Sequence, residues 1–333
     1  MNKFSLTAGV MVGALLSFSN SAFAETVNVY TYDSFASDWG PGPKIKANFE
    51  KQCDCELNFV TVDSSVGILS RVQLEGRASQ ADVVLGLDLN LMQKAKQTGL
   101  LVDSGVDTSH VNTPQPWQDS VFVPFDQGYF AFIYNSTNLE TPPASLKEIV
   151  ENQNLRVIYQ DPRTSTPGLG LLLWMKSVYG DKAADAWATL AKHTVTVTKG
   201  WYEGYSLFLK GESDVVLSYT TSPAYHVVAE GKTQYKAAPA SEGFYPQVEV
   251  AAMLKNAPHP ELAKQFMAFI LTPGFQSTIA TGNWMFPVVP LAEPLPAVFS
   301  ALPKPTKVLT LSAGDVAQHR KAWINEWLEA TTR

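Results

Sequence analysis

The chain has 333 residues, 45% of them hydrophobic, and carries a formal net charge of −6 at pH 7. This length suggests two domains and supplies enough apolar side chains for two cores. The acidic balance, with no strongly basic tract, argues against nucleic acid as a partner, and we expect a monomer.

Residues 1–24 have the features of a secretory signal peptide. Lys3 is their only charge, Ala8–Phe18 is apolar or small, and Ala22–Ala24 supplies a small-x-small cleavage pattern. The apolar stretch falls well short of the roughly 20 residues that a membrane-spanning helix needs. We therefore predict cleavage after Ala24 and a mature protein that is free in the periplasm.

The first half of the mature chain alternates predicted strands and helices. The strand TVNVYTYDSF ends near Asp33, and Pro43 can begin the helix KIKANFEKQ, because proline is favoured in a first helical turn. Strand ELNFVTV, helix VGILSRVQLEG, strand ADVVLGL and helix LNLMQKAKQTGLL follow. This alternation is typical of βαβ units and a parallel sheet.

The pattern restarts after the extended segment FVPFDQGYFAFIYN. Helix PPASLKEIVEN has Ser145 as a candidate N-cap, and strands RVIYQ, TVTVT and SDVVLSY alternate with further helices. Later helices are predicted at 260–271, at 275–280 and from about 315 to 331.

Two segments predict crossings between two α/β lobes, FVPFDQGYFAFIYN on the way out and SEGFYPQVEVAAML on the return. Lobe 1 then comprises residues 25–126 and 246–333, and lobe 2 comprises residues 127–245. The predicted fold is α/β with a hinge and an interlobe ligand cleft, the architecture of periplasmic binding proteins that close around a ligand.

Cys53 and Cys55 are separated by one residue in a compartment where disulfides form. They lie between a helix and a strand, away from the sheet edge where α/β sites form. We favour structural or redox-labile thiols over a nucleophile, and the sequence does not decide whether they are joined.

Hydroxyl-rich segments follow three predicted strands, where ligands of open α/β sheets bind. They contain Ser64 and Ser65, Ser165 and Thr166 within DPRTSTPGLG, and Tyr219, Thr220, Thr221 and Ser222. Each precedes a predicted helix, whose free N–H groups attract anions. An ordinary N-cap is the better explanation of any one segment taken alone, but three such segments at one sheet edge leave both interpretations open. None has the lysine of a nucleotide P-loop.

Aromatic residues occupy loop-like positions at the same sheet edge. They are Tyr32, Trp39, Trp201, Tyr219, Tyr225 and Trp284. Trp174 and Trp187 lie inside helical patterns and are expected in the core. An aromatic box binds flat or cationic rings, with about 0.5–2 kcal/mol per cation–π contact. Together with the anion-binding segments, it predicts a ligand with a cationic ring at one end and a phosphate or hydroxyl at the other.

Enzyme and metal signatures are sparse. The five histidines show no metal-ligand spacing, and no G-x-S-x-G nucleophile motif occurs. Only His226 follows a candidate site segment, and a surface or packing role is expected for it. We predict no catalytic residues, no metal and no cofactor.

The sequence resembles a known family, the periplasmic thiamine-binding proteins of bacterial ABC importers. The resemblance covers nearly all of the mature chain, through VYTYDSFASDWGPGP, ADVVLGLD, VPFDQGYFAF, RVIYQDPRTSTPGLGLLLWM, TVTVTKGW, LSYTTSPAY and TGNWM. It implies a type II binding-protein fold that captures thiamine, thiamine monophosphate or thiamine diphosphate and delivers it to an inner-membrane permease.

The resemblance also implies a ligand site. It would use Ser64, Ser65, Ser165, Thr166, Trp201 and Tyr219 through Ser222, with Tyr32, Tyr225 and Trp284 as further aromatic walls. The sequence departs from the family at Ser64 and Ser65, where relatives tend to have Asp-Gly, and a hydroxyl in place of an acid would alter the preference among phosphorylated forms.

Two other functional classes are alternatives, an enzyme and a binding protein for iron or polyamines. Thiamine-degrading enzymes share the two-lobe fold but use a cysteine nucleophile, and both cysteines here lie at the wrong sheet edge. Ferric binders generally present adjacent tyrosines, which this sequence lacks. Polyamine binders need several cleft carboxylates, which the predicted strand ends offer only sparsely. The resemblance therefore favours a binding protein with no enzymatic activity.

Overall fold

One 11-stranded sheet organises residues 25–332, the part of the chain that the computed structural model describes. The predicted signal peptide, residues 1–24, lies outside the described residues. The strands are β1 (Thr26–Tyr32), β2 (Glu56–Val62), β3 (Val83–Asp88), β4 (Leu101–Val102), β5 (Phe122–Asn135), β6 (Val157–Gln160), β7 (Thr194–Thr198), β8 (Val215–Tyr219), β9 (Tyr235–Ala237), β10 (Pro246–Leu254) and β11 (Phe286–Pro287).

Helices cover both faces of this sheet. They are α1 (Asp33–Ala36), α2 (Gly42–Cys53), α3 (Ser65–Glu75), α4 (Leu89–Lys96), α5 (Leu146–Glu151), α6 (Thr166–Tyr179), α7 (Ala183–Ala191), α8 (Trp201–Leu209), α9 (Ser222–Glu230), α10 (Pro260–Phe269), α11 (Pro273–Gln276), α12 (Ile279–Gly282), α13 (Val298–Ala301) and α14 (Ala313–Thr331).

The strand order along the sheet is β2-β1-β3-β10-β5-β8-β6-β7. Strands β1, β2 and β3 run parallel at one end, and β6, β7 and β8 run parallel at the other. Between them, β10 and β5 are antiparallel to their neighbours. The two βαβ regions predicted from the alternating pattern are thus joined by two long central strands.

Strand β5 belongs to both ends of the sheet. Its first part, up to Tyr129, pairs with β10, and its second part, from Phe130, pairs with β8. Strands β5 and β10 lie in the two segments that were predicted to cross between the lobes. The lobe boundaries at 126/127 and 245/246 stay a prediction, and we use "lobe 1" and "lobe 2" for the ranges given above.

The sequence of α6 explains its central position. Ser165 caps the helix by accepting from the Gly168 N–H, and a proline occupies the first turn. The residues from Thr166 to Met175 are all buried, because the helix is apolar on every side. Trp174 is only 1% exposed, in agreement with the core position predicted for it.

The last helix, α14, contacts both lobes. It packs against α4 of lobe 1 and against α6 and α7 of lobe 2. Trp327 is buried and its indole N–H donates to the Tyr159 hydroxyl at 3.2 Å, while Lys176 and Glu326 form an ion pair at 3.2 Å. The sequence predicted the helix but not its contact with lobe 2.

One predicted helix is divided in the structure. The segment predicted as a single helix over 275–280 forms two short helices, α11 and α12. The Thr278 hydroxyl donates to the carbonyl of Phe275, and the Gln276 amide donates to the carbonyls of Phe125 and Ile270. Side chains that bind nearby backbone groups compete with helical hydrogen bonds, which accounts for the interruption.

Cys53 and Cys55 form a disulfide at the end of α2. Asp54, between them, has a φ of 51°, a left-handed conformation that asparagine and aspartate tolerate better than most residues. The bridge settles the pairing that the sequence left open. Within the described part of the chain, no helix combines the length and apolarity of a membrane span.

Candidate functional site

A cavity of about 440 Å³ lies between the lobes, at the ends of strands from both. This volume is in the range of small-molecule sites. Its walls are mainly aromatic and hydroxyl-bearing. Among the residues predicted for the site, those that line it are Tyr32, Ser64, Ser65, Ser165, Thr166, Trp201, Tyr219, Ser222, Tyr225 and Trp284.

The lobe 2 wall is built on Trp201, the first residue of α8. Its indole stacks on the ring of Tyr205 with centroids 5.1 Å apart and planes inclined by 25°. The indole N–H donates to the Ser218 hydroxyl at 2.7 Å, and that hydroxyl in turn pairs with Ser222 at 2.7 Å. Because the indole face packs on Tyr205 and the indole N–H binds Ser218, these two contacts fix the orientation of Trp201.

Tyr225 and Trp284 form a second aromatic corner. Their rings meet edge to face with centroids 5.4 Å apart. Trp284 has a φ of 55°, a conformation that is energetically costly for a bulky residue. Such conformations are concentrated at functional sites. Tyr225 comes from lobe 2 and Trp284 from lobe 1, so this corner spans the interlobe boundary.

The floor of the cavity is a hydrogen-bonded polar cluster that includes two acids. The Tyr32 hydroxyl donates to Oε2 of Glu249 at 2.6 Å, and the Asn283 amide donates to the same oxygen at 3.2 Å and also to Asp126. Asp126 and Glu249 are paired across β5 and β10. Glu249 lines the cavity, whereas Asp126 is fully buried behind it.

Burial dominates the acid–base properties of this floor. It raises the pKa of Asp126 to about 7 and the pKa of Glu249 well above its usual range, with the charge of Asp126 adding to the effect on Glu249. Burial also raises the pKa of Tyr32 and of Tyr219, so both phenols stay protonated. Desolvation disfavours the charged form of each acid.

Gly86 on β3 makes room for the Tyr32 ring. A Cβ at this position would lie 2.5 Å from two atoms of that ring, and the residue has a φ of 104°, which few side chains permit. The glycine thus lets the Tyr32 ring pack directly against the strand, with its hydroxyl directed at Glu249.

The predicted anion-binding hydroxyls meet each other across the cleft. Ser64 Oγ donates to the Thr164 carbonyl at 2.5 Å, and Thr166 Oγ1 donates to Ser65 Oγ at 2.7 Å. Ser65 Oγ in turn donates to the Gly86 carbonyl at 2.5 Å. Ser64 and Ser165 also cap α3 and α6, so the capping interpretation holds for both, while the anion-binding interpretation stays a prediction.

Two further contacts join the lobes at the cavity mouth. Lys199 of lobe 2 forms an ion pair with Asp63 of lobe 1, and Tyr202 stacks on Trp39 with centroids 6.0 Å apart. Trp39, which the sequence placed among the aromatic residues of this edge, lines the cavity. These contacts bring residues of the two ranges together at the edge of the cavity.

Two predicted site residues are placed off the cavity wall. Thr220 and Thr221 are both fully buried in the turn between β8 and α9. The Thr221 hydroxyl faces the sulfur of Met285 at 3.6 Å. The turn directs these hydroxyls inward, so of this hydroxyl-rich segment only Tyr219 and Ser222 line the cavity.

His226 lies outside the cavity and has a packing role, one of the two roles expected for it. Its ring is fully buried. Nε2 forms a hydrogen bond with the Tyr205 hydroxyl at 2.9 Å, and Nδ1 forms one with Oε2 of Glu230 at 2.8 Å. It also lies against Tyr205, with ring planes inclined by only 16°. His226 therefore supports the residue on which Trp201 stacks.

Sequence reasoning missed Glu249, Asn283 and the stacking partners Tyr202 and Tyr205. A signal for the acid pair was present, because Asp126 and Glu249 each stand alone within a long apolar segment. A charged residue in a buried strand is rare without a partner or a function. No local pattern marks Asn283, whose role depends on the fold.

Comparisons with known proteins identify the family. The model of the bacterial extracellular solute-binding protein family matches residues 35–277. The thiamine-binding periplasmic protein of Escherichia coli (strain K12) is 58% identical over 321 residues, covering 96% of this chain and 98% of that protein. Its counterpart in Haemophilus influenzae is 47% identical over 322 residues, covering 95% and 96%.

Solved structures agree with this result. A periplasmic thiamin binding protein superposes with a TM-score of 0.90 at 58% identity, covering 92% of this chain and 96% of that one. Iron-bound HitA from Pseudomonas aeruginosa has a TM-score of 0.76 at 18% identity, covering 92% and 99%, which shows the fold alone. The predicted fold class, a two-lobe type II periplasmic binding protein, is confirmed, and the chain belongs to the bacterial extracellular solute-binding protein family as a homologue of the thiamine-binding periplasmic proteins.

Proposed function

We propose that this protein is the periplasmic component of an ABC importer and that it binds thiamine, thiamine monophosphate and thiamine diphosphate. The observation that carries the proposal is the interlobe cavity, with aromatic walls from both lobes and a carboxyl group on its floor. Homologues named for thiamine binding share 47–58% of its residues.

Thiamine has three chemical parts that this cavity suits. Its two flat rings match Trp201, Tyr219, Tyr225 and Trp284, because aromatic faces stack on heteroaromatic rings and attract the thiazolium charge. Glu249 supplies a carboxyl for that same charge. A cationic ring in an enclosed site gains more from an aromatic face than an exposed one does.

The hydroxyethyl end would lie by the hydroxyl groups of Ser64, Ser65, Ser165 and Thr166. In the phosphorylated forms the phosphate would take this place, near the N-termini of α3 and α6, where free N–H groups favour an anion. Their present contacts across the cleft would then be exchanged for contacts with the ligand. This placement supports binding of all three forms.

Binding is proposed to leave the ligand unchanged. Catalysis of the kind used by thiamine-degrading enzymes needs a cysteine thiolate, and both cysteines are joined in a disulfide at the end of α2. We propose no cofactor and a monomer that delivers its ligand to an inner-membrane permease. The location is the periplasm, as the leader predicts and the names of the relatives agree.

Isothermal titration of purified, ligand-stripped protein with thiamine and its two phosphates tests this function. We expect one saturable site per chain for each compound, followed by recovery of the intact vitamin. A choline or spermidine titration serves as the control for cations that lack the two rings. The absence of binding to all three thiamine compounds, or release of free pyrimidine or thiazole, would contradict the proposal.

A further inference from the structure

Among the described residues, the buried acids on the cavity floor have no basic partner. Asp126 is fully buried and Glu249 is 7% exposed, and the side chains that donate to them among the described residues, Tyr32 and Asn283, are neutral. A single ionised carboxylate in such a place is costly, and two adjacent ones are more so. The pair therefore needs a proton or a positively charged ligand.

The hydrogen bonds of the pair indicate where a proton resides. The two acids are cross-strand neighbours and both accept from the Asn283 amide; a hydrogen bond between their carboxyls would require a proton on one of them, because ionised carboxylates only accept. Oδ1 of Asp126 is buried without a hydrogen-bond donor among the described residues. Oε2 of Glu249 and Oδ2 of Asp126 already accept from Tyr32 and Asn283. A proton between the two carboxyls would satisfy the remaining oxygens.

We propose that Asp126 and Glu249 share a proton in the ligand-free protein and that a cationic ring bound in the cavity displaces it to solvent. The inference rests on the proposed function, since thiamine carries a permanently charged thiazolium. Only Glu249 faces the ligand, and Asp126 acts through it as a positioning residue. The binding step is an exchange of one positive charge for another, with no bond to the ligand formed or broken.

Other titratable groups lie around the two acids, and we do not assign the exchanged proton to any of them. Tyr32 from β1 and Tyr219 from β8 have raised pKa values and hold their protons. Asp88 at the end of β3 accepts from the N–H groups of Asn90 and Leu91, and the charge of Arg320 on α14 opposes the rise of its pKa. Asp88 does not line the cavity.

The exchange makes affinity depend on pH in a defined direction. A cation next to Glu249 favours the ionised carboxylate and lowers the number of protons that the pair binds. Thiamine affinity should therefore rise with pH wherever the pair still holds an exchangeable proton. The slope can reach about tenfold per pH unit for one proton released.

Calorimetry measures the released proton directly. Thiamine is titrated into ligand-stripped protein at pH 6 and pH 7, each in two buffers of different ionisation enthalpy, and the difference gives the protons released per ligand. The companion ligand is a thiamine analogue with carbon in place of the thiazolium nitrogen, which keeps the pyrimidine but has no permanent charge. We expect release with thiamine and much less with the neutral analogue.

Two variants localise the effect. Glu249→Gln should weaken thiamine binding about tenfold or more, because a charged acceptor is replaced by a neutral amide, and should abolish most of the proton release. Glu261→Gln, on the exposed surface of α10, should change neither.

The outcomes separate this inference from the function on which it rests. Thiamine binding with equal proton counts for the charged and neutral ligands would overturn the inference and leave the function standing. No thiamine binding would overturn both. Release that persists undiminished in a folded Glu249→Gln variant would assign the proton to another group and overturn the role of the pair.

Discussion

Trp39 of lobe 1 and Tyr202 of lobe 2 stack across the mouth of the cavity, with ring planes inclined by only 21°. They are 53% and 63% exposed, far more than is usual for rings of this size with a purely structural role. Together with the ion pair of Lys199 and Asp63 they connect the two lobes at the edge of the cavity. Under the proposed function, we expect this contact to break when the ligand is released.

Trp39→Ala is therefore expected to speed ligand release. A stacked aromatic pair contributes about 0.5–1.5 kcal/mol, so the dissociation rate of thiamine should rise a few-fold to about tenfold, with the association rate little changed. Stopped-flow fluorescence of release into excess competitor measures this rate. Leu74→Ala, at an exposed position on α3, is the control. Equal rates for the Trp39 variant and the parent would show that the stack does not hold the closed form.

Trp201→Ala should separate binding from stability. The variant should lose roughly 1–3 kcal/mol of thiamine affinity through lost stacking area and cation–π attraction. Trp174→Ala is the matched control, because that ring is buried in α6 away from the cavity and its loss should cost about 3–5 kcal/mol of unfolding free energy. Titrations and thermal melts are run on both. A folded Trp201 variant with parental affinity would exclude this residue from the site.

Ser165→Ala combined with Thr166→Ala should reduce affinity for thiamine monophosphate more than for thiamine. Hydrogen bonds to a charged acceptor are worth roughly 1.5–3 kcal/mol, against about 0.5–1.5 for neutral partners. The ratio of the two dissociation constants is compared between parent and variant. Ser145→Ala controls for capping, since Ser145 caps α5 outside the cavity. An unchanged ratio with an earlier melt would reduce the two hydroxyls to structural roles.

Asp126→Asn should change how stability depends on pH in the ligand-free protein. Burial raises the Asp126 pKa from 3.8 to about 7, so the folded state binds a proton that the unfolded state has lost. The free energy of unfolding of the parent should therefore fall as pH rises from 3.8 to about 7. The stabilising contribution of the bound proton is complete only below pH 3.8, the usual pKa of this carboxyl. An asparagine cannot ionise, so the variant should gain stability relative to the parent between about pH 4 and 8.

Thermal melts at several pH values check this expectation. Asp185→Asn, at an exposed position on α7, is the control. A parent and an Asp126 variant with parallel pH profiles would show that Asp126 has an ordinary carboxyl pKa in the folded protein.

The sequence predicted the sheet and one edge of the site well. Strand β2 was predicted with its observed bounds, and the strand ends that carry Tyr32, Trp201 and Tyr219 do meet at one cavity. Such features depend on local patterns and on the rule that ligands bind at the carboxyl ends of parallel strands.

The floor of the cavity could not be predicted in the same way. Glu249 meets Asp126 because of the register between β5 and β10, which no local pattern specifies. Asn283 reaches both acids only after α11 and α12 have turned the chain. The inward direction of Thr220 and Thr221 likewise depends on backbone geometry at the end of β8, whereas their hydroxyl-rich sequence alone suggested a ligand contact.

The sharing of β5 between the two ends of the sheet has a consequence for unfolding. Separating the lobes as independent bodies would strip one of them of a strand that supplies its central hydrogen bonds. Heat should therefore melt the protein in a single transition, with equal calorimetric and van't Hoff enthalpies, even though the chain is long enough for two domains. A substitution that destabilises any part of β5 should therefore lower the stability of the whole molecule, because the molecule unfolds as one cooperative unit.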